Sequence, residues 1–278
     1  MKQPRVLVFD SGVGGFSIAG CIRAVLPGVA LLYLADNAGF PYGDKPESLV
    51  TGRVVTLIQQ ALAEQPVDLV VIACNTASTV ALPALRAAIA TPVVGVVPAI
   101  KPAAALSSNR RIGLLATPAT VRRPYLDQLV REFASDCQLT RIGQPDLVHW
   151  IEAWVSDPAT LSDANLDSAL APFRLAGVDT VVLGCTHYPL ILARLQSRLP
   201  EVRHWVDSGA AIARRSQYLL EQTGYQGLTA GEGGVVSGWF TATLPPGLAA
   251  FMARQGLEAG TLTGGWPLAA PATGAASA

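Results

Sequence analysis

The chain carries little charge and no surplus of either sign: 14% of its 278 residues are charged, and twenty Lys+Arg offset twenty Asp+Glu. Attraction to a phosphate backbone rests on excess cations, so nucleic acid is not an expected partner. Lysine is scarce, with only Lys2, Lys45 and Lys101 against seventeen arginines, which narrows any chemistry routed through a lysine Schiff base. Three histidines occur, His149, His187 and His204, and no Cys/His group has metal-ligand spacing. No metal and no other cofactor is therefore expected. Apolar runs stop short of the roughly 18 residues that cross a bilayer, which argues against a membrane partner. Met1-Lys2-Gln3-Pro4-Arg5 leads straight into a strand pattern without the apolar stretch of an export signal, so the expected location is cytoplasmic. Four cysteines, Cys21, Cys74, Cys137 and Cys185, do not make a disulfide framework in a chain of this length and read as thiols.

What is present is apolar surface. Half of the residues are hydrophobic, enough for one or two sizeable cores and too many for a disordered chain. Short β-rich runs alternate with helical periods: Arg5 to Phe9, Leu31 to Ala35, Asp68 to Ala73, Val93 to Val97, Arg111 to Ala116, Leu139 to Ile142, Asp179 to Leu183 and Arg203 to Val206. That alternation predicts an α/β fold with mainly parallel sheets. Val50, Val54, Leu57, Ile58, Ala61 and Leu62 fall on one face of a helix. Leu69-Val70-Val71-Ile72 and Val181-Val182-Leu183 are continuously apolar, as parallel strands covered on both faces must be.

A repeat organises these elements. Asp68-Leu-Val-Val-Ile-Ala-Cys74-Asn75 superposes on Asp179-Thr-Val-Val-Leu-Gly-Cys185-Thr186 at an offset of 111 residues, and the first strands, ending at Asp10 and near Thr117, correspond at 107. Two similar α/β lobes related by a pseudo-two-fold axis are expected, with the active site in the cleft between them. The first comprises 1–97 plus 207–263 and the second 98–206, with crossings at Pro98 to Pro102 and Asp207 to Gly209. From Tyr225 the texture turns to Gly, Ala, Thr and Pro; Trp239-Phe240-Thr241 and Leu248 to Arg254 are expected to pack on a lobe, and 264–278 to form a disordered tail.

Each repeat sets a cysteine at the C-terminal end of a buried strand, where open α/β sheets bind ligands. A lone cysteine is most often a small buried hydrophobe, which is how Cys21 and Cys137 read; recurrence at matched positions points Cys74 and Cys185 to chemistry. Opposed across one cleft, two thiols suit removal of a proton from one face of a carbon and return of another to the opposite face. The base must hold a thiolate while its counterpart stays protonated. Asn75-Thr76 and Thr186-His187 are expected to open helices whose free N–H groups suit an anion, with His187 an electrostatic partner of Cys185. The Asp10-Ser11-Gly12-Val13-Gly14-Gly15 turn lacks the third glycine of a dinucleotide fingerprint, since Ser17 stands there. It reads instead as a turn whose amides approach a small carboxylate, with Asp10 available for proton management. Asp36 and Pro41-Tyr42-Gly43 lie at further loops on the same edge.

The segments Asp10 to Gly15, Pro41-Tyr42-Gly43, Ala73-Cys74-Asn75-Thr76-Ala77-Ser78 and Gly184-Cys185-Thr186-His187-Tyr188-Pro189 closely resemble the glutamate racemases of the aspartate/glutamate racemase family. The likeness extends over about residues 5–222. It implies a cofactor-independent isomerase interconverting L-glutamate and D-glutamate, and supplying the latter for peptidoglycan. By the same resemblance Cys74 takes the proton from D-glutamate and Cys185 from L-glutamate. Asp10 assists near Cys74, and Glu152 with His187 near Cys185. Substrate contacts fall to Asp10, Ser11, Tyr42, Gly43, Asn75, Thr76, Thr186 and His187. A homodimer stands as a candidate assembly. Two rivals share parts of this pattern: a racemase for aspartate or a hydantoin, and a two-lobed binding protein without chemistry, against which the matched cysteines argue.

Overall fold

The eight runs become strands in the computed structural model, which describes residues 3–230 and 234–267, and two later segments bring the number of strands among them to ten. They are β1 (Arg5–Asp10), β2 (Ala30–Ala35), β3 (Leu69–Ile72), β4 (Val93–Gly95), β5 (Arg111–Ala116), β6 (Gln138–Gly143), β7 (Thr180–Leu183), β8 (His204–Val206), β9 (Val236–Phe240) and β10 (Ala259–Gly264). One sheet runs β10-β9-β2-β1-β3-β4 and the other β6-β5-β7-β8. Every pairing is parallel. The order β2-β1-β3-β4 therefore recurs as β6-β5-β7-β8, and the sequence repeat is a repeat of topology.

That order fixes where a ligand can sit. From β1 the chain moves outward to β2 and returns across β1 to β3, so the strand order reverses between β1 and β3, and again between β5 and β7. Loops diverge at such a switch point and leave a crevice at the carboxyl ends of the strands. Asp10 closes β1 and Cys74 follows β3; Thr117 and Cys185 hold the matching places after β5 and β7. β3 and β7 are buried along their whole lengths, as their apolar runs require. The helix Glu47–Glu64 buries Val50, Val54, Leu57, Ile58 and Ala61, with Leu62 half-buried at the margin.

The crossings are short and tied together, with the Ser208 hydroxyl donating to the Val97 carbonyl at 2.5 Å. After β8 the helix Gly209–Gln222 packs on the helix Phe16–Val25 beside the first sheet. β9 then adds to the free edge of β2, and β10 adds to β9. The tail expected from residue 264 needs correction. Gly264 ends β10, and Trp266 is 2% exposed, stacked on Trp239 at 4.9 Å with its indole N–H donated to Glu64 at 3.0 Å. An aromatic residue that buries this much surface outweighs the flexible composition around it. The remainder of the expected tail, 268–278, lies outside the described residues. Among the described residues no helix is long and apolar enough to cross a membrane.

Candidate active site

β3 ends at Ile72; Ala73 follows, and Cys74 then caps the helix Asn75–Ala88, its sulfur accepting the Ala77 N–H at 3.5 Å. The Ser11 hydroxyl stands 3.9 Å from the same sulfur. Burial, followed by the charge of Asp10, pushes the Cys74 thiol above its ordinary range, against the opposing pull of the helix amide. Cys74 is thus held in its protonated form.

Cys185 follows β7 with different support. A four-residue 3-10 turn, Tyr188–Ile191, comes before the helix Leu192–Arg198, so Thr186 and His187 do not open an α-helix, contrary to the sequence expectation. Pro189 favours this tight start, and the His187 side chain takes the place of the helix amides. Its Nδ1 lies 3.6 Å from the Cys185 sulfur, and its Nε2 lies 2.7 Å from Oε1 of Glu152. Burial alone would depress the imidazole pKa. The sulfur and carboxylate on its two sides hold it well above its usual value, so it carries a proton.

The glycine turn after β1 also differs from expectation. Its amides are engaged by the protein's own carboxylates: Gly12 N–H donates to Asp10 Oδ1 at 3.1 Å and Val13 N–H to Glu152 Oε1 at 2.7 Å. No room is left for a side chain, since a Cβ on Gly12 would fall 1.9 Å from that Glu152 oxygen and one on Gly14 2.4 Å from His187 Nδ1. The glycines allow close approach to a carboxylate, but one that the fold itself supplies. Asp10 is fully buried, with Oδ2 accepting from Thr186 Oγ1 at 2.9 Å. Burial pushes its pKa up to about 6, although His187 and these hydrogen bonds pull the other way.

Between the two strand-end clusters lies a cleft of about 740 Å³ including its open mouth, the size of a small-molecule site. Ser11, Tyr42, Gly43, Cys74, Asn75, Thr76, Cys185, Thr186 and His187 line it. Asp10 and Glu152 stand behind this wall. Asn75 Oδ1 is buried with no hydrogen-bond partner among the described residues, an acceptor open to a donor in the cleft. Asp36 does not line the cleft but fixes the loop that does. Its buried carboxylate accepts from Tyr42 Oη at 2.5 Å, from Arg53 Nε and Nη2 at 2.6 Å each, and from Thr241 Oγ1 at 2.8 Å. Burial would raise the Asp36 pKa; those donors more than offset it and keep the group ionised.

Sequence reasoning did not single out several wall residues. Thr117, Phe40, Val148, His149 and Arg122 are among the further lining residues, and Phe40 sets its ring 5.2 Å from His149 and 5.9 Å from His187. Thr117 was accessible from the repeat, being the counterpart of Asp10. The others carry no local signal, because only the approach of the two halves brings them to the cleft.

Comparison with known proteins gives the same picture. A family model described as Asp/Glu/Hydantoin racemase matches residues 17–215. A glutamate racemase of Salmonella typhimurium is 52% identical over 222 residues, covering 79% of this chain and 78% of that protein. One from Shewanella loihica is 51% identical over 217 residues, 78% of this chain and 81% of that protein. Among solved structures, Escherichia coli glutamate racemase in complex with L-glutamate and the activator UDP-MurNAc-ala superposes with a TM-score of 0.85 at 43% identity, covering 95% of this chain and 99% of that chain.

Proposed function

The chain belongs to the Asp/Glu/hydantoin racemase family, and we propose that it is a glutamate racemase working through two thiols without a cofactor, in the cytoplasm, to supply D-glutamate for peptidoglycan. The observation that carries this reading is the pair of cysteines at equivalent strand ends, lining one cleft and each backed by a carboxylate, the buried Asp10 on one side and the half-buried Glu152 on the other. No lysine lines the cleft among the described residues, so a Schiff-base route has no donor there. The lobes this reading uses are 1–97 with 207–263, and 98–206.

In the L-to-D direction the Cys185 sulfur accepts the Cα proton of L-glutamate and the Cys74 thiol delivers its own proton to the opposite face. In the reverse direction the roles exchange. One proton leaves carbon and one arrives, so no redox partner is required. A protonated imidazole 3.6 Å from Cys185 is the neighbour an attacking thiolate needs, whereas the buried Cys74 retains the proton to be delivered. Asn75 Oδ1 offers an acceptor to the substrate ammonium, and the first amides of the helix Asn75–Ala88 favour a carboxylate. Ser11, Tyr42, Gly43, Thr76 and Thr186 complete the substrate contacts.

The test is racemisation of L-glutamate followed by circular dichroism without added cofactor, repeated in heavy water. D-glutamate should carry deuterium at Cα from the first turnovers, while unreacted L-glutamate stays protiated. A product retaining its original proton would point to a single base, and turnover of aspartate in place of glutamate would move the substrate assignment.

A further inference from the structure

The carboxylate behind each thiol is held by a donor from the other half of the molecule. Asp10 ends β1 of the first sheet, yet the hydroxyl on its Oδ2 belongs to Thr186, which follows β7 of the second, at 2.9 Å. Glu152 lies on the helix Leu147–Ser156 between β6 and β7, yet the amide on its Oε1 belongs to Val13, which follows β1, at 2.7 Å. The carbonyl of that same Gly12–Val13 peptide accepts the hydroxyl of Tyr33 at 2.6 Å. Tyr33 is fully buried on β2 and stacked on Phe16 at 4.1 Å, so it fixes the plane of the peptide that orients Glu152. Ser17 Oγ ties the halves once more, donating to the Thr186 carbonyl at 2.8 Å. The exchange is reciprocal: the second half sets the acid near Cys74, and the first half sets the acid that holds His187 against Cys185.

We propose that Thr186 and Tyr33 are positioning residues for the Cys74 and Cys185 sides respectively, and that these reciprocal bonds ready both thiols together at one spacing of the two halves. The inference rests on the racemase reading. It follows from the geometry because neither carboxylate has another donor that would survive separation of the halves in the same orientation: Asp10 would keep only its own Gly12 amide, and Glu152 only the imidazole it is meant to align. The titratable groups facing Asp10 are His187, Glu152, Cys74 and Tyr33, so misplacing it disturbs the whole cluster.

The test uses Thr186→Val, Thr186→Ser and Tyr33→Phe in the full chain, with primary isotope effects measured on Cα-deuterated L- and D-glutamate. A hydrogen bond to a charged group is worth about tenfold in rate, so kcat should fall by about that factor in Thr186→Val and recover in Thr186→Ser. The direction is the decisive readout. Slowing proton transfer at Cys74 raises the isotope effect with D-glutamate and lowers that with L-glutamate, where the same transfer follows the isotope-sensitive step; Tyr33→Phe should do the reverse. Equal changes in both directions, or a rise in KM alone, would overturn the proposal, because a merely structural or substrate-binding role has no direction. Racemisation by the unsubstituted chain is measured first. With that activity present, symmetric isotope effects refute the positioning roles and leave the racemase reading intact; with it absent, both fall.

Discussion

The two halves of the cleft are equivalent in topology and unlike in chemistry. Cys74 caps a fourteen-residue helix and receives one of its amides at 3.5 Å. Cys185 precedes a four-residue 3-10 turn and has an imidazole at 3.6 Å in place of helix amides. A helix terminus supplies a fixed partial charge; an imidazole supplies a whole charge that can be titrated and must itself be positioned. The difference teaches that the repeat preserves where the sulfur sits, at the end of the strand beside the switch point, while leaving the means of activation to local sequence. It also suits the proposed two-thiol reaction, in which one thiol gives a proton while the other takes one.

The comparison breaks first at the thiols. Replacing either sulfur by oxygen raises the pKa of the reacting group by several units, and each unit is worth about 1.4 kcal/mol, or tenfold. Cys74→Ser and Cys185→Ser should each lower racemisation by about three orders of magnitude or more in both directions, measured by circular dichroism on folded protein. Near-normal turnover in one of them would mean that the halves differ in necessity as well as in support.

The halves also differ in extent, because β9 and β10 lengthen only the first sheet. Trp266 holds that addition through its stack on Trp239 and its hydrogen bonds to Glu64. Trp266→Ala should cost about 3–4 kcal/mol in urea unfolding, the usual range for deleting a buried large aromatic residue, while leaving the kcat of the remaining folded protein unchanged. A cost below about 1 kcal/mol would show that the added strands are an appendage rather than part of the first core.

How much of this was legible in sequence follows from the range of each signal. The inner strands of the two matched sets were visible because a parallel strand buried on both faces has to be apolar along its length, the half-buried edge strands β6 and β8 from their place in the alternation with helical periods, and the helix Glu47–Glu64 because its apolar residues keep helical period. The thiols were visible because the repeat marked them twice. β10 was not, since Ala259–Gly264 is a glycine-rich run whose strand character comes from pairing with β9 rather than from its own side chains. Asp36 was placed at a loop on the ligand edge but given no role, because Arg53 and Thr241, which make it an anchor for Tyr42, lie 17 and 205 positions away. The glycine turn was read as open to a ligand for the same reason: the carboxylate filling it comes from 139 residues downstream.

Asp10 gives a smaller, pH-dependent contrast. Its pKa rises on folding from the ordinary value of 3.8 to about 6, so below pH 4 both folded and unfolded chains hold this proton. As pH rises through that window the unfolded chain ionises while the folded chain resists, and the stability associated with the protonated group is lost. The total is about 3 kcal/mol for a shift of about two units. Asp10→Asn should remove this decline, narrowing the difference in unfolding free energy between pH 4 and pH 7 by about 2–3 kcal/mol relative to the parent protein. An unchanged pH profile would show that Asp10 is ionised in the folded state and that Thr186 and His187 outweigh its burial.

The smallest effect is expected at the two cysteines that the repeat does not match, and it sharpens the comparison by isolating the pair that it does. Cys137 lies beside exposed Asp136, to which its sulfur donates at 3.5 Å, far from the cleft wall. Cys21 sits on the helix Phe16–Val25 against the start of the helix Gly209–Gln222, where a Cβ on Gly209 would fall 2.5 Å from its sulfur. Burial, with the charge of Asp207 adding to it, pushes the Cys21 thiol up to about 11, so it is inert near neutral pH. Cys137→Ala should change stability by less than about 0.5 kcal/mol, and Cys21→Ala should cost about 1 kcal/mol of packing. The double variant should retain full racemisation while titrating as two thiols in denaturant. Gly209→Ala adds a packing check, since it should destabilise the parent protein and be relieved when Cys21 is also alanine. A tenfold loss of turnover in the double variant would place a working sulfur outside the matched pair, and the contrast between the Cys74 and Cys185 sides would then have been drawn on the wrong residues.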